Sequence, residues 1–133
     1  MEIHGNDEQG TCVLTVNGPV GSTHTHRLQT ALIEELGRGG GHDLILDMRQ
    51  VTSLDDAALA ALTTGRQRAK FLHRRIVVVD GDDGATTRAL RRSGHIFRFP
   101  VYADADAAGA ALTADRSAVA ARNATRPAGV RAG

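Results

Sequence analysis

The sequence predicts a single α/β domain with a mixed sheet of four to five strands, a parallel core and one antiparallel edge. Two short apolar stretches, DLILDM (43–48) and IVVV (76–79), are typical of strands that are covered on both faces. The segment between them has a helical apolar period, and a strand-helix-strand unit of this kind makes its two strands parallel. We expect the helices to lie mainly on one face of the sheet.

The composition limits both the size of the fold and its chemistry. The chain has 133 residues, 41% of them hydrophobic, which fits one core rather than two. Only 3% are aromatic, so a base-stacking surface for single-stranded nucleic acid is hard to build, and a net charge of +1 gives no general attraction to DNA or anionic membranes. Cys12 is the only cysteine, which rules out an internal disulfide and an all-cysteine zinc site.

The hydropathy of the chain predicts a cytoplasmic location. MEIHGNDEQG, at the start, has no apolar signal core, and no run approaches about 18 apolar residues, so we expect no membrane insertion. Lys70 is the only lysine, whereas Ala, Gly and Arg are abundant, which is typical of a GC-rich bacterial genome.

The N-terminal part predicts the antiparallel edge of the sheet. MEIHGND and TCVLTV flank the turn-forming EQG and therefore indicate a hairpin. Because side chains alternate along a strand, Cys12, Leu14 and Val16 should share one face.

A helix is expected after this hairpin. Gly18, Pro19 and Gly21 should break the second strand, and Ser22 or Thr23 should cap the helix. The glycine run at 39–41 should end it. Its apolar stripe consists of Leu28, Leu32, Ile33 and Leu36.

The segment between the two apolar strands predicts a second helix, and further elements follow. Apolar residues recur at spacings of four, three, four and three, which places them on one helical face: Ala58, Leu62, Gly65, Ala69 and Leu72. After IVVV, DGDDG (80–84) predicts a turn and a helix cap. A short helix near 86–94 and a short strand around 99–103 should follow.

The C-terminal part is expected to be an alanine-rich helix from about 105 to 122. We expect the domain to span 1–115, and 116–133 to contain the end of this helix and a flexible tail that has little to bury.

Asp55 and Asp56 stand side by side where the second helix should begin. A helix N-terminus has free N–H donors and a partial positive charge, so a carboxylate there is favourable by about 0.3–1 kcal/mol. Ordinary capping is one interpretation. The two residues could also differ in role, with Asp55 capping the helix and Asp56 projecting into solvent. A general acid/base pair is disfavoured because the sequence nearby offers no nucleophile or electrophile.

The stretch LILDMRQVTSLDDAALAAL (44–62) resembles the STAS domain family, named for sulfate transporters and anti-sigma factor antagonists. In that family an apolar strand ends in Asp, and a short turn leads to Asp-Ser-Ser-Gly-Leu before a helix. Gly18, IVVVDG (76–81) and LRRSGHIFRFPVYADADAA (90–108) match weaker parts of the family pattern. The resemblance covers residues 2 to about 115.

This resemblance implies a binding module without an active site. In the antagonist branch of the family, the domain binds an anti-sigma factor that is also a serine kinase with an ATP-binding fold, and so frees the sigma factor. Phosphorylation of a motif serine or threonine breaks that complex, because a phosphate adds about −1.5 to −2 charges to a packed acidic interface. We therefore expect a partner of this kind, no direct contact with nucleic acid and no cofactor.

The sequence departs from the family pattern at the phosphoacceptor. Aligning Asp55 with the motif aspartate places Asp56 at the phosphoacceptor, Ala57 at the second serine and Ala58 at the glycine. Since Asp56 has no hydroxyl, a serine kinase cannot modify it, and the usual switch should be missing. Three interpretations remain: Asp56 imitates the phosphorylated state, it is a constitutive contact for a basic partner surface, or the fold has been redeployed.

The predicted partner-binding surface combines this turn with one residue of the following helix. It consists of Ser53, Leu54, Asp55, Asp56, Ala57, Ala58 and Arg66. Thr52 and Ser53 are alternative phosphoacceptors, although we expect them at the buried end of the turn. The basic stretch 66–75, with Arg66, Lys70 and Arg74 on the exposed side, is either a solvated helix face or a docking surface for an acidic partner.

Other candidate sites lack the residue spacing or the partner residues that their chemistry requires. GRGGGH (37–42) follows a helix and opens a strand, the reverse of a phosphate-binding loop, so we interpret it as a connection. DGDDG (80–84) offers oxygen ligands for a hard cation but lacks the spacing of a calcium loop. His24 and His26 lack a third ligand, and Cys12 has no paired histidine nearby, so we expect neither a metal site nor an enzyme.

The sequence thus predicts an anti-sigma factor antagonist-like protein that acts by noncovalent binding. One alternative is a STAS scaffold or a transport accessory subunit, in which the same turn contacts another partner. A further alternative, from a different class, is a small ligand- or nucleotide-binding domain that uses the turn 54–58 and the loop 80–87.

Overall fold

The computed structural model describes residues 1–8, 11–38 and 43–114. Within these ranges the main chain forms five strands and four helices. The strands are β1 (Glu2–Glu8), β2 (Thr11–Val20), β3 (Leu44–Leu54), β4 (Ile76–Val79) and β5 (Val101–Tyr102). The helices are α1 (Thr25–Gly37), α2 (Asp56–Phe71), α3 (Ala85–Ser93) and α4, which occupies 105–114. Short 3-10 turns lie at Ser22–His24 and His95–Phe97.

The five strands form one mixed sheet and lie across it in chain order. β1 pairs antiparallel with β2, from Glu2 opposite Asn17 to Glu8 opposite Thr11. The pairs β2–β3, β3–β4 and β4–β5 are all parallel. The structure therefore confirms the predicted parallel core with an antiparallel edge.

The core has one layer on each face of the sheet. Cys12, Leu14 and Val16 of β2 share one face, as predicted, and pack with the apolar residues of α1, α2 and α3. On the other face, apolar strand residues such as Ile45 and Val77 pack against Ala108 and Leu112. Three helices thus cover one face and α4 covers part of the other, which agrees with helices mainly on one face.

Helices α1 and α2 meet closely at Gly65. A Cβ atom at this position would lie 2.7 Å from Leu32 Cδ1, closer than packed carbon atoms come. The absence of a side chain at Gly65 therefore lets α2 approach α1. The predicted stripe of α2 is buried from Ala58 to Ala69, and Leu72 is half-buried.

Two predictions about the β2–α1 connection are wrong. β2 does not break at Gly18 but continues to Val20, because Gly18 adopts φ +86° at an irregularity in the pairing with β3. Neither Ser22 nor Thr23 caps α1: the helix starts at Thr25, behind a 3-10 turn and without a side-chain cap.

The predicted C-terminal helix is confirmed over its described part. Helix α4 is present over 105–114, and Asp104 caps it by accepting a hydrogen bond from the Ala107 N–H at 2.7 Å. The continuation to 122, the domain end at 115, the tail 116–133 and the glycine run 39–41 lie outside the described residues. No helix among the described residues is long and apolar enough to cross a membrane.

Candidate functional site

The end of β3 exposes hydroxyl groups that the sequence suggested would be buried. Val51 and Leu54 are buried, whereas Thr52 and Ser53 between them are exposed, so the predicted placement of these two at the buried end of the turn is wrong. The physical reason lies in the pairing with β2, whose register shifts twice along this stretch. The side chains of β3 consequently no longer alternate strictly between the two faces near its end.

Asp55 fixes the turn between β3 and α2. It is the N-cap residue, and its Oδ1 atom accepts a hydrogen bond from the Ala58 N–H at 2.9 Å. Its Oδ2 atom accepts a second hydrogen bond, from the Ser22 N–H, also at 2.9 Å. One carboxylate therefore joins the start of α2 to the loop after β2.

The loop after β2 packs tightly against this carboxylate. The Asp55 N–H donates to the Val20 carbonyl at 3.2 Å, and a Cβ atom at Gly21 would lie 3.2 Å from Asp55 Oδ2. The Gly21 N–H in turn donates to His24 Nδ1 at 3.1 Å. Both strand ends and the helix start are thus held in one hydrogen-bonded arrangement.

Asp56 has different surroundings from its neighbour. It is the first residue of α2, its side chain is exposed, and among the described residues it forms no side-chain hydrogen bond or ion pair. It borders an open groove of about 530 Å³ between α2 and α3, lined by Leu59, Ala60, Arg92, Ser93 and His95. The structure confirms that Asp55 caps the helix while Asp56 faces solvent.

The remaining predicted site residues separate into three groups. Ser53 is exposed and Ala57 is half-buried, beside Asp56. Leu54 and Ala58 are 7% and 0% exposed, so they support the turn from below. Arg66 is not brought to the turn: it lies ten residues further along α2, about 15 Å along the helix axis, and its Nε donates to the Arg98 carbonyl at 2.8 Å.

An ion pair within β3 was not foreseen from the sequence. Arg49 donates two hydrogen bonds to the Asp47 carboxylate: Nε to Oδ1 at 3.0 Å, and Nη2 to Oδ2 at 2.8 Å. Burial raises the pKa of Asp47, but the hydrogen bonds and charge of Arg49 outweigh burial and hold the pKa below its usual value. The spacing of two residues in a strand is the signal that could have revealed this pair.

The loop 80–84 forms a second strand-to-helix turn, as predicted. Asp80 is only 4% exposed, and its Oδ2 atom accepts hydrogen bonds from the N–H of Thr87 at 2.9 Å and from its hydroxyl at 3.0 Å. A Cβ atom at Gly84 would overlap the Asp80 carboxylate. This carboxylate is therefore committed to α3, and within the described part of the chain no group of three His, Cys, Asp or Glu is placed to hold a metal ion.

Cys12 is held in its neutral form. Its thiol is buried and lies 2.9 Å from Glu35 Oε2, to which it donates a hydrogen bond. Burial and the Glu35 carboxylate raise the pKa of this thiol to about 12. Since the thiolate is the nucleophilic form, Cys12 is a structural rather than a reactive cysteine.

Comparison with known proteins places the chain in a family. It matches the family described as "Mlab, STAS domain" over residues 4–95. No significant match was found among curated proteins. An anti-sigma factor antagonist from Mycobacterium paratuberculosis has the same fold, with 22% identity, a TM-score of 0.72, and coverage of 84% of this chain and 93% of that chain.

Two further solved structures share the fold. SpoIIAA of Bacillus, an anti-sigma factor antagonist in its unphosphorylated form, has 9% identity, a TM-score of 0.69, and coverage of 84% of this chain and 97% of that chain. A sulfate transporter family protein from Wolinella succinogenes has 21% identity, a TM-score of 0.59, and coverage of 74% and 81%. The chain belongs to the STAS domain family, and at these identities the structural likeness establishes the fold.

Proposed function

We propose that this STAS-domain protein is an anti-sigma factor antagonist-like regulator, which binds a protein partner noncovalently through the turn at the start of α2. The partner is an anti-sigma factor of the serine-kinase type with an ATP-binding fold. The observation that carries the proposal is the exposed carboxylate of Asp56, which has no side-chain partner among the described residues and lies on a turn held by the hydrogen bonds of Asp55. The fold shared with two anti-sigma factor antagonists supports it.

Rigidity at this turn favours recognition. Asp55 ties the turn to the loop after β2, so little conformational entropy is lost when a partner docks there. Asp56 adds a negative charge that needs no rearrangement to become available. A partner with a basic surface opposite this turn would therefore bind a preformed site, with Ser53 and Ala57 at its edge.

Asp56 acts in this proposal as a constitutive contact. A carboxylate carries about one charge and two oxygens, against about −1.5 to −2 charges and three oxygens for a phosphate, so it imitates phosphoserine only in part. Regulation by phosphorylation at position 56 is absent because there is no hydroxyl. Thr52 and Ser53, both exposed, are the hydroxyls that a kinase could reach beside it.

Affinity capture from the native cells tests this function. The unaltered chain, Asp56→Ala and Asp83→Ala are used as baits; Asp83 is also exposed and its replacement makes the same change in charge. We expect a kinase-like anti-sigma factor with the unaltered chain and with Asp83→Ala, and at least about tenfold less with Asp56→Ala. Absence of such a protein from the first capture, or equal recovery by Asp56→Ala, would contradict the proposal.

Restoring a serine at position 56 tests whether the inherited interface is intact. We expect Asp56→Ser to become a substrate of the captured kinase and to lose its remaining partner binding once it is phosphorylated, because a phosphate is bulkier and more highly charged than the single carboxylate that the interface accommodates. If Asp56→Ser keeps full binding with every candidate kinase and ATP, the role assigned to this position is wrong.

A second candidate is a scaffold or accessory role in transport. It is favoured by the fold shared with a sulfate transporter family protein. In that case the same capture recovers transport subunits instead of an anti-sigma factor. If the chain is instead a nucleotide-binding domain, nucleotides should raise its melting temperature and no protein should be captured.

A further inference from the structure

A second surface feature lies at the other end of α2 from Asp56. It is a groove of about 390 Å³ between the C-terminal half of α2, the chain around Phe97 and Arg98, and the edge of the sheet at β4 and β5. Lys70 on its rim lies about 21 Å along the helix axis from Asp56. We call this feature the basic groove.

The charge of the basic groove is one-sided. Twelve of the described residues line the groove. Five of these are cationic and none of the twelve is a carboxylate, although the whole chain has 16 basic and 15 acidic residues. One of the five, Arg75, pairs with Asp43 at 3.6 Å. Among the described residues, no ion pair involves the other four, which are Arg66, Lys70, Arg74 and Arg98. These cations therefore keep their charge available to a bound anion.

The remainder of the basic groove is apolar. Val77 and Leu112 are buried at its base, and Tyr102 is half-buried beside them. Phe97, on the rim, is 93% exposed. The other exposed phenylalanine, Phe71, lies against the Arg68 guanidinium at 5.7 Å and does not line this groove. An apolar base bordered by several cations complements a molecule that is itself part apolar and part anionic.

We propose that the basic groove binds a small organic anion with an apolar body. The acid group contacts Lys70 and Arg98, and the apolar body lies against Phe97 and Tyr102 over the base at Val77. Pockets for small molecules typically have volumes of about 300–1,000 Å³ and combine an apolar lining with a few placed polar groups. Charge-assisted hydrogen bonds from lysine and arginine are the strong contacts such an anion requires.

Nucleic acid fits the basic groove less well. The groove has only four available cations, and three of them lie within nine residues of chain, from Arg66 to Arg74, which is too short a basic strip to follow a phosphate backbone for more than a few nucleotides. The proposal is independent of the antagonist function, because the turn at Asp56 and the ligand contacts proposed here involve different residues and lie at opposite ends of α2.

Three probes test the contributions of the acid group and of the apolar body separately. Octanoate has both an acid group and an apolar chain, 1-octanol has only the chain, and acetate has only the acid. Each is titrated into the full chain at neutral pH, with the amide signals of Val77 and Tyr102 followed by NMR. We expect octanoate to shift these signals with an affinity at least about tenfold higher than that of either partial probe.

Exposed residues provide variants that leave the fold intact. Lys70→Glu and Phe97→Ser should each weaken octanoate binding about five- to tenfold, since one replaces a cation of the rim and the other removes its aromatic surface. Arg88→Glu is the matched control, because Arg88 is exposed on α3 and does not line the basic groove. It should bind octanoate as the unaltered chain does.

Several outcomes would overturn the proposal. These are octanoate leaving the signals of Val77 and Tyr102 unmoved, 1-octanol binding as tightly as octanoate, and Lys70→Glu binding as tightly as Arg88→Glu. Loss of Asp56-dependent partner capture would leave this titration unaffected, so the failures of the two proposals can be told apart.

Discussion

The two turns that lead from the central strands into helices use the same capping chemistry at different depths. In the β4–α3 turn, Asp80 is buried and its carboxylate binds both donors of Thr87. In the β3–α2 turn, Asp55 is itself the N-cap residue; like Asp80 it accepts the N–H of the third helical residue, here Ala58, but it lies at the surface. Helix α2 also has an acidic residue, Asp56, in its first helical turn, whereas the first helical turn of α3 has none.

This difference separates the carboxylates that hold the fold from the one that is free to bind another molecule. Asp80 is buried beside α3, so a binding partner cannot reach its carboxylate. Asp55 is accessible, but both of its oxygens accept backbone hydrogen bonds. Asp56 contributes little that the fold needs, so its effect should be seen in binding and hardly at all in stability.

The largest effect is expected at Asp80. Asp80→Ala leaves the N–H and the hydroxyl of Thr87 without their buried acceptor, and hydrogen bonds to a charged group contribute about 1.5–3 kcal/mol each. The free energy of unfolding should fall by about 3 kcal/mol, measured by urea denaturation followed by circular dichroism. Asp83→Ala, in the same turn but exposed, should change it by less than about 0.5 kcal/mol. Equal effects of the two variants would contradict the assignment of Asp80.

A smaller loss is expected at Asp55. Asp55→Ala removes the helix cap and the acceptor for the Ser22 N–H, and loss of an N-cap costs about 0.5–2 kcal/mol. Urea denaturation should show a decrease of about 1.5 kcal/mol. Asp55→Asn keeps one accepting oxygen but turns an NH2 group toward the other N–H donor, so it should recover only part of the loss. No loss in Asp55→Ala would mean that the cap seen here does not stabilise α2.

Asp47 provides a carboxylate of intermediate depth, and its test is the dependence of stability on pH. Since Arg49 holds its pKa below the usual value of about 3.9, the pair stabilises the folded state above that pH, and the contribution is lost as pH falls through the lower folded pKa. Arg49→Met removes the pair. The difference in unfolding free energy between the unaltered chain and Arg49→Met should be positive at pH 6 and shrink steadily below about pH 4. A difference that stays constant down to pH 2 would show that the pair does not lower this pKa.

The smallest effect on stability is expected at Asp56. Asp56→Ala removes only a favourable interaction with the helix dipole, so the unfolding free energy should change by about 0.5 kcal/mol or less. Thermal and urea denaturation both measure it. A loss comparable with that of Asp55→Ala would mean that Asp56 has a structural partner after all.

The sequence was sufficient for those parts of the fold that depend on local patterns. The continuous apolar centres of β3 and β4 and the helical stripe from Ala58 to Leu72 indicated parallel strands around a helix, and the structure has them. The placement of Asp55 as the helix cap and of Asp56 toward solvent was one of the interpretations that their position at a helix start offered, and the structure selects it. In each case the pattern that gives the prediction lies within a short stretch of the sequence.

The sequence was insufficient where distant residues decide the outcome. The exposure of Ser53 depends on register shifts between β2 and β3, which no property of β3 alone reveals. The Asp55 contact with Ser22 spans 33 residues, and the contact of Arg66 with Arg98 spans 32. The basic groove likewise combines α2, β4, β5 and α4, so its one-sided charge becomes visible only once the chain is folded.

Asp56 is thus proposed to serve binding, whereas Asp55 and Asp80 serve the fold. The most direct test titrates the captured anti-sigma factor into two variants well below their melting temperatures: Asp56→Ala, and Thr87→Val, which removes one hydrogen bond to Asp80. We predict that Asp56→Ala is as stable as the unaltered chain but binds at least about tenfold more weakly, and that Thr87→Val is less stable but binds normally. Full-strength binding by Asp56→Ala would contradict the account.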